Sequence, residues 1–502
     1  MKTKILITSL SLLLFAKSIL PQQIINKNFV LISPTDTKED IISKAANITP
    51  TPQQYDWQKM EYIAFLHFGI NTFTNREWGV GNEDPKIFNP EKFDAGQWAK
   101  ALNDAGMKMA ILTAKHHDGF CLWPSNFTEH SVKNSAWKNG KGDVVREFTD
   151  ACRKYGLKVG LYLSPWDRNN PLYGDSPKYN EFYLNQLREL LTNYGEISEV
   201  WFDGACGEGP NGKKQIYDWR SYYKLIRELQ PNAVIFGMSP DLRWVGTETG
   251  YGRETEWNVI PIDLSNANIK NQYPLDEIYS PHDYVDYNLG SRQKLYEAKG
   301  LFWYPAEADV SIRPGWFYHK SQDDSVKSIK QLFDIYFGSV GRNCVLLLNI
   351  PPDRNGLICQ NDIDTIKALK NIIDKTFNRN LAEGSKVVVD EDKSEVSYES
   401  FFQENNSLED RENITLNFML TAEVNFDVVL LQEDIMTGQR IEKFHLEYWN
   451  SKEWIKFTEG TTVGYKRLLR FNPVKTNKVR LTIEQSRANP ILANFGLFKM
   501  SQ

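Results

Sequence analysis

Apolar runs alternate with amphipathic stretches from about residue 61 to residue 352. The runs predict eight strands, at residues 63–69, 107–117, 157–164, 199–204, 233–237, 243–246, 301–307 and 344–350. Two segments between them, 93–106 and 142–156, place apolar residues on one helical face and end at a glycine. Apolar strands that alternate with helices over about 290 residues predict an α/β fold, a (β/α)8-like barrel.

A doubly wound parallel sheet is the alternative architecture. No GxGxxG motif opens a helix after a predicted strand, and the chain has no GxxxxGK[ST] motif. The loops that cradle nucleotides in that class are therefore absent from the sequence. Residues 247–300 form a long polar insertion, and a barrel places such insertions at its active-site face.

After about residue 380 the pattern changes to short segments that alternate apolar and polar residues, such as ITLNFML, NFDVVLLQE and IEKFHLEYW. This period of two, with turn-rich links between the segments, is typical of a β-sandwich. We therefore divide the chain into an N-terminal extension (21–54), the barrel (55–360), a connecting helix or linker (361–380) and a sandwich (381–502).

The first twenty residues carry two early lysines and an apolar run of about twelve residues, too short to span a bilayer as a mature helix. We expect an export signal here, with an uncleaved N-terminal anchor as the alternative. The Lys-, Asn- and Ile-rich composition suggests a bacterial source. No cysteine follows the run to accept a lipid, which favours a periplasmic or secreted protein.

Composition indicates which classes of ligand the protein is suited to bind. The 502 residues carry a formal net charge of -5 and no block of five basic residues, which argues against nucleic acid. The five cysteines lack CxxC spacing, which argues against structural zinc. The 14 tryptophans and 23 tyrosines suit either a Trp-rich core or a sugar site, where a flat ring packs on the C–H face of a sugar.

Polar side chains stand at the ends of most predicted strands, where a barrel carries its catalytic groups. They are His67, His116, His117, Ser164, Trp166, Asp203, Glu248 and Glu307. A metal centre is one interpretation, but no HExxH or HxH spacing occurs, and adjacent strand residues point to opposite faces. We therefore expect no metal and no organic cofactor.

Glycoside hydrolysis is the other interpretation, because it needs two carboxylates across a sugar site. Asp203 and Glu248 follow different predicted strands, so their side chains can converge at the barrel mouth. Glu254, Glu256 and Glu307 are alternatives to Glu248, and their roles stay open.

Four segments in order, AKHHDGFCLWPS (114–125), GLYLSPWD (160–167), EVWFDGA (199–205) and WVGTETG (244–250), resemble the α-L-fucosidases of glycoside hydrolase family 29. The glutamate of the WVGTE segment resembles the subfamily selective for α-1,3 and α-1,4 branches. The resemblance implies that Asp203 is the nucleophile and Glu248 the acid/base. It also implies that His67, His116, His117, Trp123, Tyr162 and Trp316 bind the substrate.

The implied activity is a retaining exo-α-L-fucosidase that removes α-1,3- or α-1,4-linked fucose from branched, Lewis-type glycans. A broad or α-1,2-preferring fucosidase and a catalytically silent fucose-binding lectin are the alternatives. The expected partners are fucosylated oligosaccharides or glycoconjugates, with no nucleic acid and no membrane span in the mature chain. The C-terminal segments resemble a discoidin-type sandwich, which either binds glycan or packs against the barrel. The exact linkage, the natural glycan, the oligomeric state and the signal cleavage site stay open.

Overall fold

The computed structural model describes residues 28–237, 241–261, 286–390, 395–403, 408 and 413–501. Its strands, in chain order, are β1 (Phe29–Leu31), β2 (Tyr62–Leu66), β3 (Met109–Lys115), β4 (Lys158–Leu163), β5 (Glu199–Trp201), β6 (Val234–Phe236), β7 (Arg243–Trp244), β8 (Val259–Pro261), β9 (Gly300–Trp303), β10 (Ala306–Ser311), β11 (Val345–Asn349), β12 (Lys386–Val389), β13 (Glu395–Ser397), β14 (Ile414–Glu433), β15 (Ile441–Trp449), β16 (Trp454–Gly460), β17 (Arg467–Ser486) and β18 (Leu492–Phe498).

The helices, in the same order, are α1 (Lys38–Ala46), α2 (Pro52–Gln58), α3 (Ile70–Thr74), α4 (Ala95–Asp104), α5 (Val144–Lys154), α6 (Ser176–Asn193), α7 (Trp219–Leu229), α8 (Arg292–Tyr296), α9 (Ile329–Ser339), α10 (Gln360–Phe377) and α11 (Tyr398–Gln403).

Eight parallel strands form the barrel, in the order β6-β5-β4-β3-β2-β11-β10-β7. The backbone N–H of Leu242, just before β7, donates to the carbonyl of Ile235 on β6 at 3.2 Å, which links the two edge strands. Strands β2 and β3 are buried along their whole length because helices cover one face and the barrel interior fills the other. The predicted (β/α)8-like barrel followed by a C-terminal β-sandwich is confirmed, as a nearly closed parallel barrel and C-terminal antiparallel strands.

The seventh predicted strand, 301–307, is wrong in its position. Residues 300–303 form β9, which pairs antiparallel with β1 and β8 in a small sheet outside the barrel. The barrel strand is β10, about five residues later, so Glu307 is its second residue rather than its end. Both segments are apolar, and sequence periodicity does not distinguish a barrel strand from a buried strand beside it.

The helices at 93–106 and 142–156 form close to where the sequence places them. The side chains of Asp94 and Asp143 accept from backbone N–H groups in the first turns of α4 and α5. Gly106 and Gly156 adopt φ of 81° and 75°, a left-handed conformation that ends each helix with little steric cost.

In the part of the C-terminal module that the structure describes, the strands form one seven-stranded antiparallel sheet in the order β13-β12-β14-β17-β15-β16, with β18 paired to β14. The predicted segments ITLNFML and NFDVVLLQE join in the 20-residue strand β14, which shifts register against β17 between Met419 and Val424. Such irregularities bend long strands and let the sheet curl around its own apolar core. The resemblance to discoidin-type modules stays a prediction.

Helix α10 fills the predicted connecting segment between the barrel and the C-terminal module. The predicted export signal, residues 1–20, lies outside the described residues. Within the described ranges, no helix combines the length and apolar character that a membrane crossing requires.

Candidate active site

A cavity of about 220 Å³ opens at the carboxyl ends of the barrel strands. Seven of the eight residues proposed from the sequence line it, namely His67, His116, His117, Tyr162, Asp203, Glu248 and Trp316. They come from six different strands and loops, so only the closure of the barrel brings them together.

Asp203 stands just beyond β5, and its carboxylate faces the cavity. The Tyr162 hydroxyl donates to Oδ2 at 3.2 Å, and the backbone N–H of Ala205 donates to Oδ1 at 2.7 Å. Nε2 of His117 lies 3.6 Å from Oδ2. These contacts orient one carboxylate oxygen toward the space that a substrate would occupy.

Glu248 is exposed and lies on the loop that follows β7. The indole Nε1 of Trp316 donates to its Oε2 at 3.2 Å across the cavity mouth. Asp203 and Glu248 therefore line the same cavity, Asp203 as a half-buried side chain and Glu248 as an exposed one.

Burial keeps the three histidines uncharged. It lowers the pKa of His67 to about 3, and it lowers the pKa of His116 well below its usual value. Burial also lowers the pKa of His117, although the charge of Asp203 acts in the opposite direction. Neutral imidazoles can both donate and accept hydrogen bonds, as sugar hydroxyls require.

The tautomers of two histidines follow from their partners. His67 Nδ1 donates to Oδ1 of Asn349 at 2.9 Å, which leaves Nε2 as an acceptor. The Ser164 hydroxyl donates to the carbonyl of Trp166, so its oxygen accepts from His117 Nδ1 at 2.7 Å. Both histidines therefore offer an acceptor nitrogen.

His116 and His117 line the same cavity because β3 ends at Lys115, before either residue. The opposed directions expected along a strand do not apply beyond its end. Within the described ranges, no three His, Cys, Asp or Glu side chains cluster as metal ligands would.

Trp123 does not line the cavity, which corrects the expectation that its ring contacts substrate. After Gly119 the chain turns back, and the N–H of Leu122 donates to the carbonyl of Ala114 at 2.9 Å. This turn directs the indole into the layer between strands and helices, where Nε1 donates to Glu189 on α6 at 2.8 Å.

Sequence reasoning missed six of the residues that line the cavity: Phe65, Glu77, Trp78, Trp201, Ala205 and Asp309. Glu77 and Trp78 lie in a loop beyond α3, outside the strand ends on which the sequence argument relied. Asp309 was missed because the seventh strand was predicted at the wrong position. For Glu77 and Trp78, the one sequence feature that could have indicated them is that an acid and a tryptophan are adjacent in NREWGVG.

Comparison with known proteins agrees with this geometry. The family model for Alpha-L-fucosidase matches residues 32–376. The chain belongs to the alpha-L-fucosidase family. It is 44% identical over 464 residues to Alpha-L-fucosidase 1 of Arabidopsis thaliana, a match that covers 89% of this chain and 87% of the plant enzyme.

Solved structures resemble this α-L-fucosidase over most of its length. A Ruminococcus gnavus GH29 fucosidase in complex with fucose is 33% identical, with a TM-score of 0.80 over 91% of this chain and 96% of that one. A glycoside hydrolase 29 family member from an unknown rumen bacterium is 40% identical, with a TM-score of 0.77 over 91% and 78%. The chain is therefore a glycoside hydrolase of family 29.

Three glutamates that compete with Glu248 lie elsewhere in the fucosidase. Glu254 pairs with Arg342 and Arg467. Glu256 is fully buried between Arg243 and Arg253. Burial acts to raise the pKa of Glu256, but the two guanidinium charges outweigh it and hold the pKa below its usual value. Both glutamates therefore support the loop beyond Glu248.

Glu307 lies inside the barrel and does not line the cavity. The indole of Trp201 donates to its Oε1 at 2.9 Å, so Glu307 holds one wall of the cavity from within. Burial raises the pKa of Glu307 well above its usual value and that of neighbouring Glu199 to about 8, so this carboxyl pair retains a proton near neutral pH.

Asp309 is a further carboxyl of the cavity, beside Asp203 and Glu248. The Trp244 indole donates to its Oδ1 at 2.8 Å. Burial, together with the nearby charges of Glu248 and Asp203, raises the pKa of Asp309 to about 7. A neutral Asp309 reduces the repulsion among the three acids when a sugar excludes water.

Proposed function

We propose that this α-L-fucosidase works by double displacement with retention, and that Asp203 and Glu248 carry the two roles. The observation that supports this most is that both carboxylates face one cavity that is also lined by three uncharged histidines. Sugar hydroxyls would bond to the histidines, and the aromatic rings would cover the apolar face and methyl group of fucose.

In the first step an oxygen of Asp203 forms a bond to the anomeric carbon of fucose. The bond from that carbon to the leaving oxygen breaks, and this oxygen takes the proton of Glu248. In the second step Glu248 takes a proton from water, and the water oxygen bonds to the anomeric carbon. The ester bond to Asp203 breaks, which releases fucose and restores both carboxyl groups.

We further propose that the enzyme removes α-1,3- or α-1,4-linked terminal fucose from branched glycans. The support is the place of Glu248 in WVGTE, directly after β7. A panel of α-1,2, α-1,3 and α-1,4 oligosaccharides tests the linkage. Similar rates on all of them would favour a broad enzyme, and a preference for the first would favour an α-1,2 enzyme.

The pair is tested with Asp203→Ala and Glu248→Ala on an activated aryl fucoside, with azide as an external nucleophile. Loss of the acid/base leaves the covalent intermediate accessible, so azide gives the α-fucosyl azide in Glu248→Ala. Loss of the nucleophile forces direct attack, so Asp203→Ala gives the β product. Glu228→Ala, an exposed carboxylate on α7, is the control and should keep wild-type rates.

NMR of the first product from a Lewis-type trisaccharide tests retention directly. We expect α-fucose to form before mutarotation. If β-fucose forms first, retention is refuted, and if both alanine variants turn over normally, the assigned pair is refuted.

We also propose that the protein is exported from a bacterial host, to the periplasm or beyond. The lysines and apolar run of residues 1–20 support this. Fractionation of the native host and N-terminal sequencing of the mature protein test it, and a cytoplasmic chain with an intact N-terminus would refute it.

A further inference from the structure

The loop that carries Glu248 has little support from its own strand. Strand β7 contains only Arg243 and Trp244, and Glu248 follows four residues later as an exposed side chain. Its contact with Trp316 ties the carboxyl to another loop rather than to the barrel wall. A proton donor must nevertheless stand within about 3 Å of the leaving oxygen, and a displacement of about 1 Å can lower a rate on the order of 100-fold.

On the barrel side, helix α9 and the turn after it hold the middle of the loop. Gly250 adopts φ of 78° and lies so close to α9 that a Cβ there would approach Ile335 to 2.9 Å. The N–H of Gly252 donates to the carbonyl of Gly338 at 2.7 Å. Arg342 donates to the carbonyl of Gly252 at 3.0 Å.

The next residues of the loop bond to the C-terminal module instead. The hydroxyl of Thr461 donates to the carbonyl of Glu254 at 2.9 Å and accepts from the hydroxyl of Thr255 at 2.9 Å. The hydroxyl of Thr462 accepts from the backbone N–H of Glu256 at 3.0 Å. These bonds run mainly to backbone atoms, so they fix the path of the chain.

Arg467, on β17, adds a charged anchor at the same point. Nη1 donates to the carbonyl of Glu254 at 2.7 Å, and Nη2 donates to its carboxylate at 3.0 Å. Only 4% of the arginine is exposed. A buried guanidinium that is held by a fork of two bonds resists displacement, so residue 254 has a defined position six residues beyond Glu248.

We propose that the C-terminal module positions the acid/base carboxyl, with Thr461, Thr462 and Arg467 as positioning residues for the loop of Glu248. This inference rests on the proposed role of Glu248. It assigns the module a part in catalysis through its contact with the barrel, without any glycan bound to the module itself.

The test compares kcat/KM on two fucosides that differ in leaving group, because only a poor leaving group needs the proton. The variant Thr461→Val/Thr462→Val removes both hydroxyls at nearly constant shape. We expect it to lose about 10- to 100-fold on a fucosyl disaccharide and less than about threefold on a dinitrophenyl fucoside. Arg467→Lys keeps the charge without the fork, and we expect the same pattern from it.

Two controls make the result specific. Arg292→Ala breaks a different contact between barrel and module, the ion pair with Glu442, and should leave the ratio of the two kcat/KM values at the wild-type level. Glu248→Ala shows how far the ratio of the two kcat/KM values changes when the acid is absent altogether. Thermal unfolding of every variant separates loss of fold from loss of position.

If Thr461→Val/Thr462→Val and Arg467→Lys keep the wild-type ratio of the two kcat/KM values while Glu248→Ala changes it, the inference is refuted. The module then only stabilises the fold. If Glu248→Ala itself shows no dependence on the leaving group, the proposed acid/base fails and the inference fails with it.

Discussion

Replacement of Asp362 by alanine should destabilise the fucosidase and loosen the loop that carries Trp316. Asp362 lies on α10 and accepts from Arg313 Nε and Nη2 at 2.9 and 3.0 Å. Neither side chain is exposed, so the variant leaves a guanidinium charge buried in the protein. Arg313 begins the turn that leads to Trp316, and its other bond, from Nη1 to Asp323, measures 2.9 Å.

The size of the expected loss of stability follows from the burial of Arg313 and Asp362. Removal of one partner of a buried pair costs about 3–5 kcal/mol. Because Asp323 keeps one bond to Arg313, we expect a value near the lower limit, about 3 kcal/mol. The entropy of unfolding is about 2.1 cal/mol/K per residue, so for a chain of 502 residues this loss corresponds to a fall in Tm of roughly 3 °C. The kcat/KM for a Lewis-type trisaccharide should fall as well, because Trp316 loses its fixed position beside Glu248.

Urea unfolding followed by tryptophan fluorescence at pH 7 measures the change in the free energy of unfolding. The control is Arg313→Met/Asp362→Leu, which removes both charges and should recover most of the lost stability because apolar residues of similar volume replace buried pairs well. A loss below about 1 kcal/mol in Asp362→Ala, or a double variant as unstable as the single one, would refute the reasoning.

Three further variants test the site. Asn349→Leu removes the acceptor of two His67 donors, each worth about 1 kcal/mol, so kcat/KM should fall about 5- to 30-fold; an unchanged value would show that His67 needs no such support. The raised pKa of Asp309, about 7 against an ordinary 3.8, stabilises the fold below about pH 4, and this contribution is lost as the pH rises through 7. The urea midpoint of Asp309→Asn, relative to that of the wild type, should therefore rise between pH 5 and pH 8.5. A relative fall over this range would contradict the raised pKa of Asp309. Trp123→Phe should keep KM and kcat within about twofold while it lowers Tm, since its indole bonds to Glu189 outside the cavity; a raised KM would return Trp123 to the substrate site.

Strand β10 connects the barrel interior to the cavity. Its alternate residues Glu307, Asp309 and Ser311 each bond to a group that shapes the site. Glu307 accepts from Trp201 and Asp309 from Trp244, while Ser311 accepts from Asn349, the partner of His67. The polar face of this one strand thus holds in place three groups that shape the cavity.

Local patterns in the sequence predict the class of fold and most of the cavity. Strand periods, helix caps and terminal glycines depend on neighbouring residues, so they predict the barrel and the ends of α4 and α5 without any tertiary information. Asp203 and the histidines follow from motifs at strand ends, where a barrel gathers functional groups, whereas Trp316 follows only from the family resemblance.

The remaining features of the site depend on contacts between residues far apart in the chain. Trp123 belongs to the same motif as His116, yet a backbone turn directs it away from the cavity. Glu307 lies inside the barrel rather than at a strand end, and Asp309 was missed, because two apolar strands of similar composition follow each other closely in the chain. The support of the Glu248 loop comes from residues about 200 positions away in the C-terminal module. Contacts between residues so far apart leave no periodic signal in the sequence, because they depend on how the two modules pack rather than on local backbone preference.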